Sequence, residues 1–193
     1  MPDSLLTESP LSQPALPDPD ALMTARVHEA VGTGRRAFAL ALAGQLSGPV
    51  LWIHDAARTN PLYPPGLAEI LDPARLVLAN ATGITALLQV TDEALRSGAV
   101  PLVVTELPQA PDLTASRRLQ LAAGTGGGRG LCLIPEGRLC TNAAETRWMC
   151  MPMPGIGTGG QQWEALKNKR GRLITWQAAR RDGRFVATAP ELV

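Results

Sequence analysis

Apolar and polar positions along this chain change their period several times, and each change predicts an element. Val27–Val31 reads as a short strand. From Arg35 to Leu46 the apolar positions Phe38, Leu42 and Leu46 recur every fourth residue with Ala41 beside them, a helical spacing that Gly48 and Pro49 close. Pro49–His54 is a continuous apolar run between turn signals, the pattern of a strand covered on both faces. A short helix from Pro65 through Leu71 and a strand over about Arg75–Ala79 follow. Thr82 is the expected N-cap of a helix whose face is Ile84, Leu87, Leu88, Thr91 and Leu95, ended by Gly98. Val100–Leu107 is the most β-like run. Thr114 is expected to cap a helix to about Ala123, and Gly130–Pro135 gives a further strand. Beyond it ETRWMCMPM, QWEALKN and RLITWQA read as three short antiparallel strands with turns between them.

Strands that alternate with helices imply an α/β fold with a mostly parallel sheet and helices on both faces. The final antiparallel strands would extend one edge. Residues 1–22 hold Pro2, Pro10, Pro14, Pro17 and Pro19, a density that blocks helices and ladders, so this stretch is expected to be a disordered tail. Residues 23–181 would form the core domain and 182–193 a C-terminal tail. TGGGRG, Thr125–Gly130, reads as a turn and not a phosphate cradle, because the helix precedes the glycines.

Composition changes this picture little. A chain of 193 residues, 45% hydrophobic and 18% charged, is one globular domain that can bury a core. A formal charge of +1 argues by itself for neither nucleic acid nor membrane. Cys132, Cys140 and Cys150 form no CxxC pair, and His28 and His54 are the only histidines, which argues against a disulfide framework or a zinc site. Cys132 and Cys150 are expected in the core and Cys140 in an exposed loop. No signal peptide or run of about 20 apolar residues is read, so the expectation is a cytoplasmic protein without a membrane span.

Candidate chemistry begins at VHEAVGTGRRAFALALAG, which has the outline of a strand, a glycine turn and a helix. A phosphate loop of this kind needs glycines whose backbone N–H groups turn toward phosphate, a lysine for the terminal phosphates and a hydroxyl for magnesium. Gly32, Thr33 and Gly34 supply a turn, but Arg35 and Arg36 stand near the lysine position and Phe38 brings bulk in place of a hydroxyl. The loop is several residues too short to wrap a triphosphate. A structural turn is therefore the first reading. Arginine gripping a phosphate through two hydrogen bonds is the alternative.

HEA-x-G, GPVLWI, LDPARL, EALRSGAVPLVV, DLTASRRLQLAA, AAETRW and KNKRGR occur in this order between about Val27 and Ala178. The series resembles the RecA-like core and is similar to the ImuA-type proteins of proteobacteria, DLTASRRLQLAA being its most specific piece. The resemblance implies a RecA-like fold with a degenerate phosphate loop. It implies a damage-induced accessory protein of the mutasome, working with an inactive ImuB-type polymerase homologue and an error-prone C-family DNA polymerase, with RecA as a further candidate partner. Glu106 stands near the strand-end acidic position that holds magnesium in a working ATPase, and Glu29 is placed away from any attacking water. Lys167, Asn168, Lys169 and Arg170 are similar to the segment that reaches a neighbouring subunit's phosphates in recombinases. Only GRLCT, Gly137–Thr141, remains of the mobile loop that grips single-stranded DNA, too little for the extended stacking such binding needs.

Lys167, Lys169, Arg170, Arg172, Arg180, Arg181 and Arg184 form the basic concentration of the chain and suit weak, salt-sensitive DNA or partner contact. Trp148, Trp163 and Trp176 are expected in the core, an exposed one being a candidate contact. The expectation is a non-enzymatic interaction protein with no cofactor and no metal. Two alternatives remain: an ATPase with a non-standard phosphate loop using Arg35 or Arg36, and a SulA-like cell-division inhibitor. DLTASRRLQLAA and KNKRGR favour the ImuA type over the latter.

Overall fold

The computed structural model describes residues 22–57, 62 and 64–188, so the tail expected over residues 1–22 lies, apart from Leu22, outside the described residues. Within them the strands are β1 (Val27–Val31), β2 (Val50–Asp55), β3 (Leu76–Ala81), β4 (Leu102–Glu106), β5 (Arg129–Ile134), β6 (Thr146–Pro152), β7 (Gln161–Asn168), β8 (Thr175–Arg181) and β9 (Arg184–Thr188). The helices are α1 (Arg35–Gln45), α2 (Pro64–Ala68), α3 (Gly83–Ser97) and α4 (Leu113–Gly126). All nine strands form one sheet in the order β3-β2-β4-β5-β1-β6-β7-β8-β9. Pairing is parallel from β3 to β6 and antiparallel from β6 to β9. This is a RecA-like α/β fold with the antiparallel extension on one edge.

Two apolar layers hold it. Phe38, Ala41 and Leu42 of α1 pack on Trp52, Leu131, Trp148, Trp163 and Phe185, a cluster that runs from the parallel strands into the extension. Phe38 is its wedge: its ring lies 5.6 Å from that of Trp148 and 5.2 Å, edge-on, from that of Trp163. Burying such an aromatic is worth about 2–3 kcal/mol, and truncating it to alanine costs about 3–5 kcal/mol. On the other face, Leu87 and Leu95 of α3 and Leu119, Ala122 and Ala123 of α4 cover Val31, Ile53, Val103, Cys132 and Ile134. β1, β4 and most of β5 are buried along their length, as strands sandwiched between helix layers must be.

The structure corrects the sequence reading in three places. Asp112, not Thr114, caps α4: its carboxylate accepts from Ala115 N at 2.8 Å. Thr82 is the N-cap of α3 as expected, although its side chain makes no capping hydrogen bond. The short helix ends at Ala68, and a separate 3-10 turn, Pro73–Arg75, precedes β3. The largest change is β9, which replaces the first part of the tail expected from residue 182. Asp182 and Gly183 both have positive φ, 49° and 77°, as a two-residue hairpin turn of the primed type requires.

Candidate functional site

The site is built where β1 delivers the chain to α1. Gly32 takes φ +86°, and a Cβ there would stand 2.5 Å from Cys150 O and 3.1 Å from the sulfurs of Met149 and Met151. The N–H of Gly34 donates to Cys150 O at 2.8 Å. A side chain on Gly34 would collide with Gln161 Oε1. Arg35 Nη1 donates back to Gly32 O at 2.8 Å. The glycines therefore serve a close approach of the turn to β6 and β7. The amide that a phosphate loop would aim at its ligand is already bonded to the sheet, and the space beside it is filled by Cys150, the two methionines and Gln161.

Glu106, at the end of β4, is 3% exposed. Its Oε1 accepts from Arg36 Nε at 3.0 Å and from Trp52 Nε1 at 2.9 Å, and its Oε2 accepts from Arg36 Nη2 at 2.8 Å. A two-pronged arginine–carboxylate pair of this kind is the strong form of a charge-assisted hydrogen bond. Arg36 comes from the first turn of α1 and Trp52 from β2, so three elements close on one carboxylate. In a working site a lysine and this acid would both face the terminal phosphates, one on their oxygens and the other on their magnesium, with the ligand between them. Here arginine and acid meet each other.

A second buried carboxylate belongs to the neighbouring strand. Glu29, 1% exposed on β1, accepts from Asn142 Nδ2 at 2.5 Å and from Arg147 Nε at 2.7 Å. Arg147 Nη2 continues to Cys140 O at 2.7 Å, and Asn142 Nδ2 to Pro111 O at 3.1 Å. Ala110 N donates to Arg138 O at 2.9 Å and Cys140 Sγ to Pro111 O at 3.3 Å. The short Gly137–Thr141 segment is thus tied at both ends by a network that sequence reasoning missed. Cys140 is exposed, whereas Cys132 and Cys150 are buried; burial raises both of their thiols, that of Cys150 well above the usual range.

His28, also buried on β1, has an ordered set of partners. Trp148 Nε1 donates to Thr146 Oγ1 at 2.8 Å, Thr146 Oγ1 lies 2.8 Å from His28 Nδ1, and His28 Nε2 lies 3.0 Å from Met23 O. A carbonyl only accepts, so Nε2 carries the proton and Nδ1 accepts from the threonine hydroxyl. Burial pushes the His28 pKa down to about 4, with the charges of Arg129 and Arg26 adding to the effect.

The Lys167–Arg170 segment closes on its own chain. Lys167 Nζ donates to Asn142 O at 2.9 Å and Lys169 Nζ to Ala143 O at 2.7 Å. Burial, then the charges of Lys169 and Arg147, lower the Lys167 pKa. Asn168 Oδ1 accepts from the N–H groups of Arg170 and Gly171 at 3.2 and 3.0 Å and shapes the turn into β8. Arg170 pairs with Glu145 at 3.2 Å.

No protein-family model matches the chain. Curated relatives named "Protein ImuA", from two strains of Caulobacter vibrioides, are 35% identical to it over 154 residues, covering 70% of this chain and 62% of theirs. The chain is of the ImuA type. It spans less than two thirds of the length of the ImuA proteins it matches.

In this ImuA-type chain the C-terminal basic run does not make one patch. β7 and β8 are antiparallel, with Gln161 opposite Ala178 and Glu164 opposite Thr175. Lys167–Arg172 therefore stand at one end of the hairpin. Arg180, Arg181 and Arg184 stand at the other, about 20 Å away at the rise of a strand. Arg180 is ion-paired with Glu69, next to α2. Trp148 and Trp163 are fully buried and Trp176 is half-buried. Among the described residues no helix is long and apolar enough to cross a membrane, and no group of three or more metal-ligating side chains comes together.

Proposed function

We propose that this ImuA-type chain is a non-catalytic, RecA-like accessory subunit of an error-prone translesion synthesis assembly in the SOS damage response. It would bind an ImuB-type polymerase homologue and an error-prone C-family DNA polymerase, with RecA as a further partner. The carrying observation is the closed Arg36–Glu106–Trp52 cluster over a turn whose Gly34 amide is bonded to Cys150 O. It argues for a rigid core in place of a nucleotide cycle, and it disfavours the ATPase alternative, because Arg36 would have to leave a buried carboxylate to reach a phosphate.

Partner docking is supported at the sheet edge. β3 is an edge strand of six residues, LVLANA, with no lysine, proline or bulge to blunt it. Val77 is 50% and Leu78 57% exposed. Such an edge is a template for an added strand from another chain. The Lys167–Arg172 end of the β7–β8 hairpin supplies a further, electrostatic contact to DNA, one that weakens with salt. Affinity capture of the ImuB-type and C-family polymerase subunits by the purified chain tests the reading. Retention of at least one is expected; retention of neither defeats it.

A further inference from the structure

Four neighbouring strands bring charged residues to one end of the sheet. β5, β1, β6 and β7 lie side by side in that order. Their pairing sets the strand ends in a row: Gly130 N donates to Arg26 O at 3.0 Å, Glu145 N to Val27 O at 2.9 Å and Lys169 N to Glu145 O at 3.2 Å. Arg129, Arg26, Glu145 and Lys169 therefore stand one strand apart, a row of about 14 Å at the usual strand spacing. Arg170 and Arg172, both exposed, follow Lys169 in the turn into β8. The row holds one carboxylate, and it is shared: Arg170 Nε lies 3.2 Å from Glu145, Arg26 Nε 3.7 Å and Lys169 Nζ 4.0 Å. The other partners are neutral carbonyls. Arg129 Nε donates to Leu22 O at 2.6 Å, Arg26 Nη1 to Ala25 O at 2.8 Å and Lys169 Nζ to Ala143 O at 2.7 Å. Five cations (Arg26, Arg129, Lys169, Arg170, Arg172) against the one carboxylate of Glu145 leave a net positive charge of four.

A surface of this kind binds by charge and not by stacking. Phe38, Trp52, Trp148, Trp163 and Phe185 are buried, and the half-buried Trp176 packs on the cluster beneath α1. These rings are committed to the interior and offer no platform for unpaired bases. Charge alone favours the duplex, which carries one phosphate charge per about 1.7 Å of its axis and releases more counterion per contact than a single strand. A 14 Å length of duplex presents about eight phosphates, roughly half of them toward a protein lying on one side, a number comparable with the net charge of the row.

We propose that the row Arg129–Arg26–Glu145–Lys169, continued by Arg170 and Arg172, is a docking surface for the sugar-phosphate backbone of duplex DNA, bound without regard to base sequence. The inference rests on the reading of the hairpin end as a DNA contact and extends it. Arg26 and Arg129 belong to the surface although neither lies in the C-terminal basic run. Glu145 gathers Arg26, Lys169 and Arg170 and offsets part of their charge, which keeps the grip weak and reversible. The surface lies at the N-terminal ends of the parallel strands, the far end of β1 from its turn into α1.

Fluorescence anisotropy of the full chain with a labelled duplex of about 20 base pairs, and with one of its strands alone, tests this over a range of salt concentrations. Tighter binding to the duplex is expected, with log K falling against log salt at a slope of about −3 to −4. R26Q and R129Q should each weaken duplex binding about fivefold to tenfold near 100 mM NaCl and reduce the slope by about 1. E145Q should tighten binding by a similar factor and steepen the slope, a gain that loss of folded protein cannot imitate. Should R129Q fail to fold, R26Q and E145Q carry the test. Weakening by R170Q/R172Q with no change in R26Q, R129Q and E145Q would overturn the row and leave the hairpin contact standing. Tighter binding to the single strand would overturn the duplex assignment. Binding of neither DNA at 50 mM NaCl would defeat the inference and the hairpin contact together, while capture of a polymerase subunit decides the accessory role separately.

Discussion

At the scale of single residues the account turns on Arg36 and Glu106, which are 70 positions apart in sequence. Each was visible as a candidate: the first as a basic residue where a phosphate-binding lysine is expected, the second as an acid ending a strand. Their pairing was not legible, since nothing local records that β4 and the first turn of α1 end side by side. The pairing makes a quantitative prediction. R36M leaves Glu106 buried without its cation and should cost about 3–5 kcal/mol in chemical denaturation. R36M/E106L, which removes both charges, should recover most of that loss; an unchanged deficit would mean the pair is not what holds the turn. His28 gives a pH prediction. Its folded pKa, about 4, lies below the ordinary histidine value of 6.5, so below pH 6.5 the unfolded chain binds a proton that the folded chain refuses. Stability is complete above that pH and should fall by about 1.4 kcal/mol per pH unit down to pH ~4. H28Q should flatten this slope in denaturation curves taken across the range, and an unaltered slope would place its origin elsewhere.

At the scale of elements, strands flanked by glycine and proline and helices with a fourfold apolar spacing were readable, because burial on both faces or on one stripe leaves a periodic trace. α1 shows this: Phe38 and Leu42, picked from spacing alone, are in the core. β9 left no such trace. Arg184–Thr188 alternates exposed and buried residues over a short span rich in arginine just before it, which reads as a solvated tail. The available signal was Asp182-Gly183 between two short runs, the dipeptide that suits a tight hairpin. The cap of α4 was misplaced by two residues because Asp112 and Thr114 are both good capping residues, and only the backbone decides which stands at the end. For β3 the prediction concerns binding: V77K or L78K puts a charge on an edge strand and should reduce capture of a polymerase subunit at least tenfold while leaving the thermal midpoint within about 2 °C. Full capture by both variants would move the docking surface away from this edge.

At the scale of the whole molecule, the sheet keeps a RecA-like architecture while the turn between β1 and α1 is packed against β6 and β7. Parallel strands, helix layers and the antiparallel extension are fixed by the two apolar clusters, neither of which needs a ligand. The candidate site was less legible than the fold. Sequence grouped Lys167–Arg172 with Arg180–Arg184 as one basic region, and antiparallel pairing separates them to opposite ends of a hairpin. The short loop after β5 was read as too small to wrap DNA, and its anchoring by Glu29, Asn142 and Arg147 was not legible because it depends on contacts more than 100 residues apart. The central claim is that the turn between β1 and α1 is a packing device and not a nucleotide cradle. Thermal denaturation with and without millimolar MgATP tests it most directly. A ligand present at 100 times its Kd adds about 2.7 kcal/mol, which in a domain of this size raises the midpoint by about 5–10 °C. The structure predicts a midpoint that does not move. A saturable rise of that size, abolished by R36M, would contradict it.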